Sequence, residues 1–332
     1  MDDILAFNKV AITIGGLEIR WYAIFIVTGM IAGLITAIFA AKRRGISTDY
    51  VFEMFLWAIP LAIIGARLYY VLTTLYDANG EWTGWTFAKI VNIRTGGLAI
   101  YGGLIGGMVG LLIFSFIRKI NFISILDIAA VSVIIGQACG RWGNFINQEA
   151  YGGLVPEGFP HFLPFSVYIE HCTAETCVCN GAAGWHYATF FYEFFWNLAG
   201  YIGMLFLERF IFSAKNKALP KAGMTLSAYL IWEGIGRGWI EGLRTDSLYF
   251  LRSIFGNAIR ISQMLSVVMI IIGVTLVIIM MKRQRKKDAN PPASSGSTES
   301  VDSTDGTATS ESGDGYSGDV GTSSTDEDVR KD

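Results

Sequence analysis

The sequence predicts an all-α polytopic membrane protein: seven transmembrane helices, an outside N-terminus, a cytoplasmic C-terminus and a small extracytoplasmic cap. Three observations carry that prediction. Of the 332 residues, 52% are hydrophobic and only 16% charged, and apolar runs of membrane-spanning length recur along the chain. Basic residues gather on alternate short loops. Polar residues inside or beside the apolar runs crowd toward the opposite face. The net charge of −2 says little, because charge is so unevenly spread.

Met1 to Gly16 lacks a basic leader, a short apolar core and a small-residue cleavage site. The first span is therefore expected to be retained, not removed as a signal peptide. The seven spans read as Tyr22–Ala41, Val51–Leu75, Leu98–Ile117, Ile123–Cys139, Phe190–Phe206, Ala222–Trp239 and Ile261–Met281. The third is rich in glycine (Gly102, Gly103, Gly106, Gly107, Gly110), which permits close packing of small residues against a neighbour. Lys42-Arg43-Arg44, Arg118-Lys119, the basic residues from Arg209 to Lys221 and Lys282 to Lys287 follow spans one, three, five and seven. With alternating spans all four clusters share one side, which the positive-inside rule makes cytoplasmic.

Residues 1–287 are thus expected to form the membrane catalytic domain, with an outer cap loop at about 140–189. A loop that long between spans is usually functional or folded. From 288 to 332 the composition turns to Ser, Thr, Gly and acidic residues, which predicts a disordered acidic cytoplasmic tail. Cys172, Cys177 and Cys179 cluster in the cap loop near His171 and His186. Disulfide, free thiols and metal ligation all remain open there.

The chain is organised around Gly140 to Gly153, which follows the fourth span without a linker. Arg141, Asn144, Asn147 and Glu149 arrive where a helix would be leaving hydrocarbon. Polar groups at that depth cost several kcal/mol unless partnered. One reading is a polar helix end wetted by headgroups; the sharper one is a site for an anion. In the sixth span Glu233, Arg237, Glu241 and Arg244 are spaced 4, 4 and 3 apart, which stacks them on one helical face. That face reads either as a structural ion-pair ladder or as the second half of the same site. Arg141 and Arg237 are expected to converge on one phosphate, since guanidinium forks suit phosphate oxygens and stay charged. Tyr22 opens the first span, and Tyr101 interrupts the glycine-rich stretch with room for close approach of a ligand. Arg67 reads as a lone intramembrane charge, or as counter-ion to a glutamate.

At these residues the sequence resembles the phosphatidylglycerol–prolipoprotein diacylglyceryl transferases. Arg141, Asn144, Asn147, Glu149 and Gly152 fit the signature G-R-x-G-N-F-x-N-x-E-x-x-G. Agreement extends to Trp21-Tyr22, Gly96–Gly103, Tyr192-Glu193 and Arg237-x3-Glu241-x2-Arg244, in order, over nearly all of 17 to 287. The resemblance implies transfer of a diacylglyceryl group from phosphatidylglycerol to the lipobox cysteine of a prolipoprotein signal peptide, as the first step of lipoprotein modification. It further implies a bacterial plasma-membrane enzyme working in the bilayer, with a thioether product and glycerol phosphate leaving. Arg141, Arg237, Tyr101 and Glu149 would be catalytic. Tyr22, Asn144, Asn147, Gly152, Glu241 and Arg244 would bind substrate. No metal or cofactor is implied, and no nucleic-acid partner. The chain departs from the family where many members have histidine and it has Tyr101, a poor base at neutral pH; the reading adopted is that Tyr101 positions lipid. It departs again at Tyr187-Ala188-Thr189, where His-Pro-Thr is usual, and at Glu233, where tyrosine is common. The rival class, an anion or lipid transporter with an intramembrane arginine site, would call for paired discontinuous helices and inverted repeats; the sequence has neither.

Overall fold

In the computed structural model, residues 9–76, 80–93, 96–169, 184–213, 216, 219–243 and 261–289 are described. A hairpin of β1 (Val10–Ile14) and β2 (Leu17–Arg20) leads into α1 (Trp21–Arg43). Then come α2 (Thr48–Thr73), the short α3 (Phe87–Val91), α4 (Ile100–Arg118) and α5 (Phe122–Asn147). A second strand pair, β3 (Ser166–Ile169) and β4 (Gly184–Tyr187), precedes α6 (Thr189–Ile211), α7 (Met224–Ile240), a 3-10 turn (Glu241–Leu243) and α8 (Ile261–Ala289).

Six of these helices are long and apolar enough to cross a membrane: Trp21–Arg43, Thr48–Thr73, Ile100–Arg118, Phe122–Asn147, Thr189–Ile211 and Gln263–Lys286. The expected sixth span is the exception. It forms α7, only 17 residues long, or about 26 Å at 1.5 Å per residue, against a hydrocarbon thickness of about 30 Å. The all-α expectation also needs correction, because two antiparallel strand pairs are present. The first turns at Gly15 and Gly16, with φ of 55° and 84°, a pair suited to a tight two-residue hairpin.

A third correction concerns α5. The predicted span stops at Cys139, where polar residues begin, but the helix runs on to Asn147. A helix satisfies its own backbone whatever its side chains carry, and here those side chains find one another. It ends only at Gln148, which turns left-handed with φ 53°. The outer loop therefore begins at 148, not 140. Likewise α8 continues past Asp288 to Ala289, with Gln284 bonding Asp288 at 3.0 Å. The rest of the predicted tail lies outside the described residues, as do Cys172, Cys177 and Cys179.

Glycines govern the helix pairings. A Cβ at Gly106 would lie 2.1 Å from the Leu61 carbonyl oxygen and one at Gly110 2.6 Å from that of Trp57, so α2 and α4 are in backbone contact, as the small-residue pattern predicts. Gly29 and Gly33 bring α1 onto α5 at Gly136 and Ser132. The cap has its own small core of Tyr151, Val167, Ile169, Ala188 and Phe190. Gly152 and Gly153 tie it together: Gly152 N–H donates to Tyr187 O and Gly153 N–H to Leu243 O, at 2.9 and 3.1 Å.

Arg67 is neither lone nor paired with a glutamate. Its guanidinium donates to five backbone carbonyls, of Lys89, Ile90, Asn92, Gly96 and Gly97, at 2.6 to 2.9 Å. It thereby ties α3 and the lead into α4 to the end of α2.

Candidate active site

Arg141 sits near the cap end of α5, inside a chain of polar contacts. Its Nε pairs with Glu193 Oε2 of α6 at 2.6 Å, and its Nη1 donates to Asn144 Oδ1 at 3.2 Å. Asn144 Nδ2 donates to Glu149 Oε1 at 3.0 Å, and Asn147 Nδ2 donates to the same oxygen at 3.2 Å. Asn144 and Arg141 lie three apart and share a helical face, and the left-handed turn at Gln148 folds Glu149 back onto both amides. The carboxylate thus orients the amide that orients the arginine. Trp142, boxed edge-on by Phe145, Phe191 and Phe194 at 6.2, 6.0 and 5.3 Å, locks this part of α5 against α6.

Arg237 comes from α7. Its Nε donates to Glu233 Oε1 at 2.8 Å, and Gln137 Nε2 of α5 donates to that oxygen at 3.2 Å. The carboxylate of Glu193 acts electrostatically on Arg237 as well, so one glutamate serves both arginines. Arg141, Glu193, Trp196, Asn197, Glu233, Gly236, Arg237 and Ile240 line a single cleft. Among the contacts described, Arg237 engages only its Nε, and Arg141 only its Nε and Nη1. Convergence of the two arginines, expected from the sequence, is what the helices produce.

Other expected residues fall around this centre. The Tyr22 ring lies over Gly143, where a Cβ would be 2.5 Å from its Cδ2, and it feels the charges of Glu149 and Arg141. Gly152 is packed so closely that a Cβ would lie 2.7 Å from Tyr187 Cβ and 2.8 Å from Leu243 O; its immediate work is to join cap to helix end. Tyr101, at the start of α4, stands against Tyr69 with ring centroids 6.4 Å apart and is not part of the cleft lining. Of the four charges, Glu233 and Arg237 pair within α7; the helix ends at Ile240, and Glu241 opens a 3-10 turn. Arg244 lies outside the described residues.

An apolar cavity of about 320 Å³ lies between α2, α4, α5 and α7, running from Gly103 to Leu111 along α4. Tyr229 of α7 lines it and also interacts electrostatically with Glu233 and Arg237. The cavity lining thus reaches to within electrostatic range of the Glu233–Arg237 pair.

Comparison with known proteins identifies the family. Residues 9–279 match the family model for prolipoprotein diacylglyceryl transferase. The chain belongs to that family. It is 39% identical over 284 residues to phosphatidylglycerol–prolipoprotein diacylglyceryl transferase 1 of Clostridium perfringens, covering 84% of this chain and 97% of the relative. Likewise named transferases of Streptococcus agalactiae and Streptococcus pyogenes are 42% and 43% identical over 281 and 284 residues. These cover 83% and 84% of this chain and 97% and 96% of the relatives. With six apolar spanning helices, this member of the diacylglyceryl transferase family is a multi-pass membrane protein.

Sequence reasoning did not single out every member of the cleft. Glu193 entered only with Tyr192 as part of the resemblance, although it holds Arg141. Trp196 was not singled out at all, although Trp196-x3-Gly200 on α6 is matched by Trp232-x3-Gly236 on α7. Outside the spans, His186 of β4 is fully buried in the cap, with Nδ1 2.9 Å from Gly152 O. Burial lowers its pKa from the ordinary histidine value, and the Gly152 contact only partly offsets this.

Proposed function

We propose that this protein transfers the diacylglyceryl group of phosphatidylglycerol to the lipobox cysteine of a prolipoprotein signal peptide. The observation that carries the reading is the cleft shared by Arg141 and Arg237, held from separate helices by Glu193 and Glu233. In the reaction a C–S bond forms at the terminal glyceryl carbon as its C–O bond to phosphate breaks. The electron pair leaves on the glycerol phosphate oxygen. A thiol and a phosphodiester of charge −1 become a thioether, a phosphomonoester of charge −2 and one proton. The charge that grows on the leaving phosphate is what two preoriented guanidinium groups stabilise. Glu149, Asn144 and Asn147 hold Arg141 in place and offer amides to the glycerol headgroup. Tyr22 and Tyr101 position lipid, and Glu241 and Arg244, which follow α7 in the sequence, bind substrate.

The apolar cavity receives acyl chains, with Tyr229 at its junction with the headgroup cleft. The chain sits in the bilayer with the cap and cleft outside and the four basic clusters cytoplasmic. In this arrangement α7, lengthened by the 3-10 turn, is the sixth of seven spans, and residues beyond 289 form an acidic cytoplasmic tail.

The test is purified protein with phosphatidylglycerol and a lipobox peptide, read by mass spectrometry. A diacylglyceryl mass on the peptide cysteine is expected with wild type and is expected to vanish with Arg141→Ala or Arg237→Ala. Normal transfer by either variant would exclude the phosphate site.

A further inference from the structure

The sequence W-x3-G occurs twice in the chain, as Trp196-Asn197-Leu198-Ala199-Gly200 on α6 and Trp232-Glu233-Gly234-Ile235-Gly236 on α7. The two copies meet. Their indole rings stack with centroids 4.3 Å apart and planes 18° from parallel. Trp196 Nε1 donates to the Trp232 carbonyl at 3.1 Å, and Trp232 Nε1 donates to the Trp196 carbonyl at 3.0 Å. Each indole nitrogen also occupies the hollow left by the other copy's glycine. A Cβ on Gly200 would stand 2.3 Å from Trp232 Nε1, and one on Gly236 would stand 2.2 Å from Trp196 Nε1. The result is a reciprocal clasp between antiparallel helices, in which each half supplies a ring, a donor, an acceptor and a socket.

Its place in the chain gives it a consequence for the cleft. Glu193, the partner of Arg141, lies one helical turn before Trp196. Glu233 follows Trp232 directly, and Arg237 follows Gly236. Trp196 and Gly236 themselves line the cleft. A slip of α6 against α7 by one residue, about 1.5 Å, would break both indole hydrogen bonds and carry Glu193 away from Arg237 by the same distance. We infer that the paired W-x3-G motifs are the positioning device that sets the α6–α7 register, and with it the separation of Arg141 from Arg237 across the phosphate. Trp196, Gly200, Trp232 and Gly236 act through the arginines and take no part in bond making. The inference rests on the transferase reading above, because the arginine separation matters most if both contact one leaving phosphate.

The test uses the phosphatidylglycerol and lipobox-peptide assay, with kcat and the peptide KM measured separately. Gly200→Ala drives a methyl into Trp232. It is expected to lower kcat by about 10- to 100-fold, the effect of misplacing a reacting geometry by about 1 Å, with the peptide KM unchanged. Trp232→Phe removes Nε1, the atom nearest the methyl, and leaves the ring Cδ1 position and Ile134 Cδ1. The double variant is therefore expected to recover part of the kcat lost in Gly200→Ala, a rescue that general loosening of the bundle would not produce. Trp232→Phe adds no atoms and loses one hydrogen bond, so by itself it is expected to lower kcat by several-fold. Unchanged kcat in Trp232→Phe, or a double variant no better than Gly200→Ala, overturns the inference. The failures are distinguishable: no product from wild type overturns the transferase reading and the clasp's role together. Product from wild type with kcat untouched in the variants overturns the clasp alone.

Discussion

Two arginine–carboxylate clusters tie α5, α6 and α7 together, one at each end of the bundle, and they are built on opposite principles. At the basic end Arg44 pairs with Glu208 at 2.7 Å and Asp127 at 3.7 Å, and donates to Thr225 and to Ala40 O. Asp127 accepts from the backbone N–H groups of Gly223 and Leu226, both at 2.7 Å, capping α7 from a neighbouring helix. The side chains of Arg44, Asp127 and Glu208 are 4%, 0% and 0% exposed. At the cap end Arg141 and Arg237 are 17% and 38% exposed, and among the described residues they engage only part of their donors. The same residue types give a sealed knot in one place and an open receptor in the other. Charge inside a membrane protein is thus not itself the mark of a site; donors left facing a cleft are.

That contrast can be broken by experiment. The largest effect is expected from Arg44→Ala, which removes the nearest cation from two buried carboxylates and should cost about 3 kcal/mol of stability, read by denaturant unfolding in detergent. Glu208 keeps its Arg43 partner at 3.1 Å and Asp127 its two backbone donors. A loss below 1 kcal/mol would mean that the knot is not sealed. Arg237→Ala should weigh the other way, lowering kcat by roughly 10²–10³-fold, as for loss of a charge-stabilising donor, with a smaller loss of stability than Arg44→Ala because one buried carboxylate, Glu233, loses its partner and keeps Gln137. Coupled losses of fold and activity would erase the distinction. Arg67→Lys sharpens it from a third location. A lysine has three donors where five carbonyls need them, so a cost of about 1–3 kcal/mol is expected, with faster hydrogen exchange confined to residues 89–99. The smallest effect is a pH response of the cap. Because the folded pKa of His186 is depressed, the unfolded state binds more protons in the window just below the ordinary histidine value of about 6.5. Cap stability should be full above that pH and decline as pH falls toward the folded pKa. Hydrogen exchange of 151–169 and 184–187 at pH 7.5 and 5.5 measures it, and equal protection at both would remove His186 as the cause.

Most helices were legible because each apolar run must hide its backbone from lipid, and only a helix does so within one segment. The small-residue face of α4 was legible for a related reason: glycines at four-residue spacing mark one side of a helix. Arg141, Asn144, Asn147 and Glu149 could be singled out because polar groups beside hydrocarbon need an explanation. The end of α5 could not, since polarity was taken as the end of the helix, while the side chains were free to pair with one another. Arg44 read as a charge setting orientation, yet it is buried in a salt-bridge knot that only the meeting of four helix ends creates. Arg67 read as an orphan because backbone carbonyls, its true partners, have no letter in the sequence.

The sequence by itself determined where the chain crosses or lines the membrane, which end gathers positive charge and which residues bring charge to the opposite face. These follow from composition and from helical spacing along one segment. Only the tertiary structure decided that Glu193 of α6 holds Arg141 of α5, that two W-x3-G motifs clasp each other, and that an apolar cavity reaches toward the charged pair of α7. Each depends on the lateral order and vertical register of separate helices. That order is set by glycine contacts, indole sockets and trans-helix caps between residues as far apart in the chain as Tyr22 and Gly143, and no pattern within a single segment contains it.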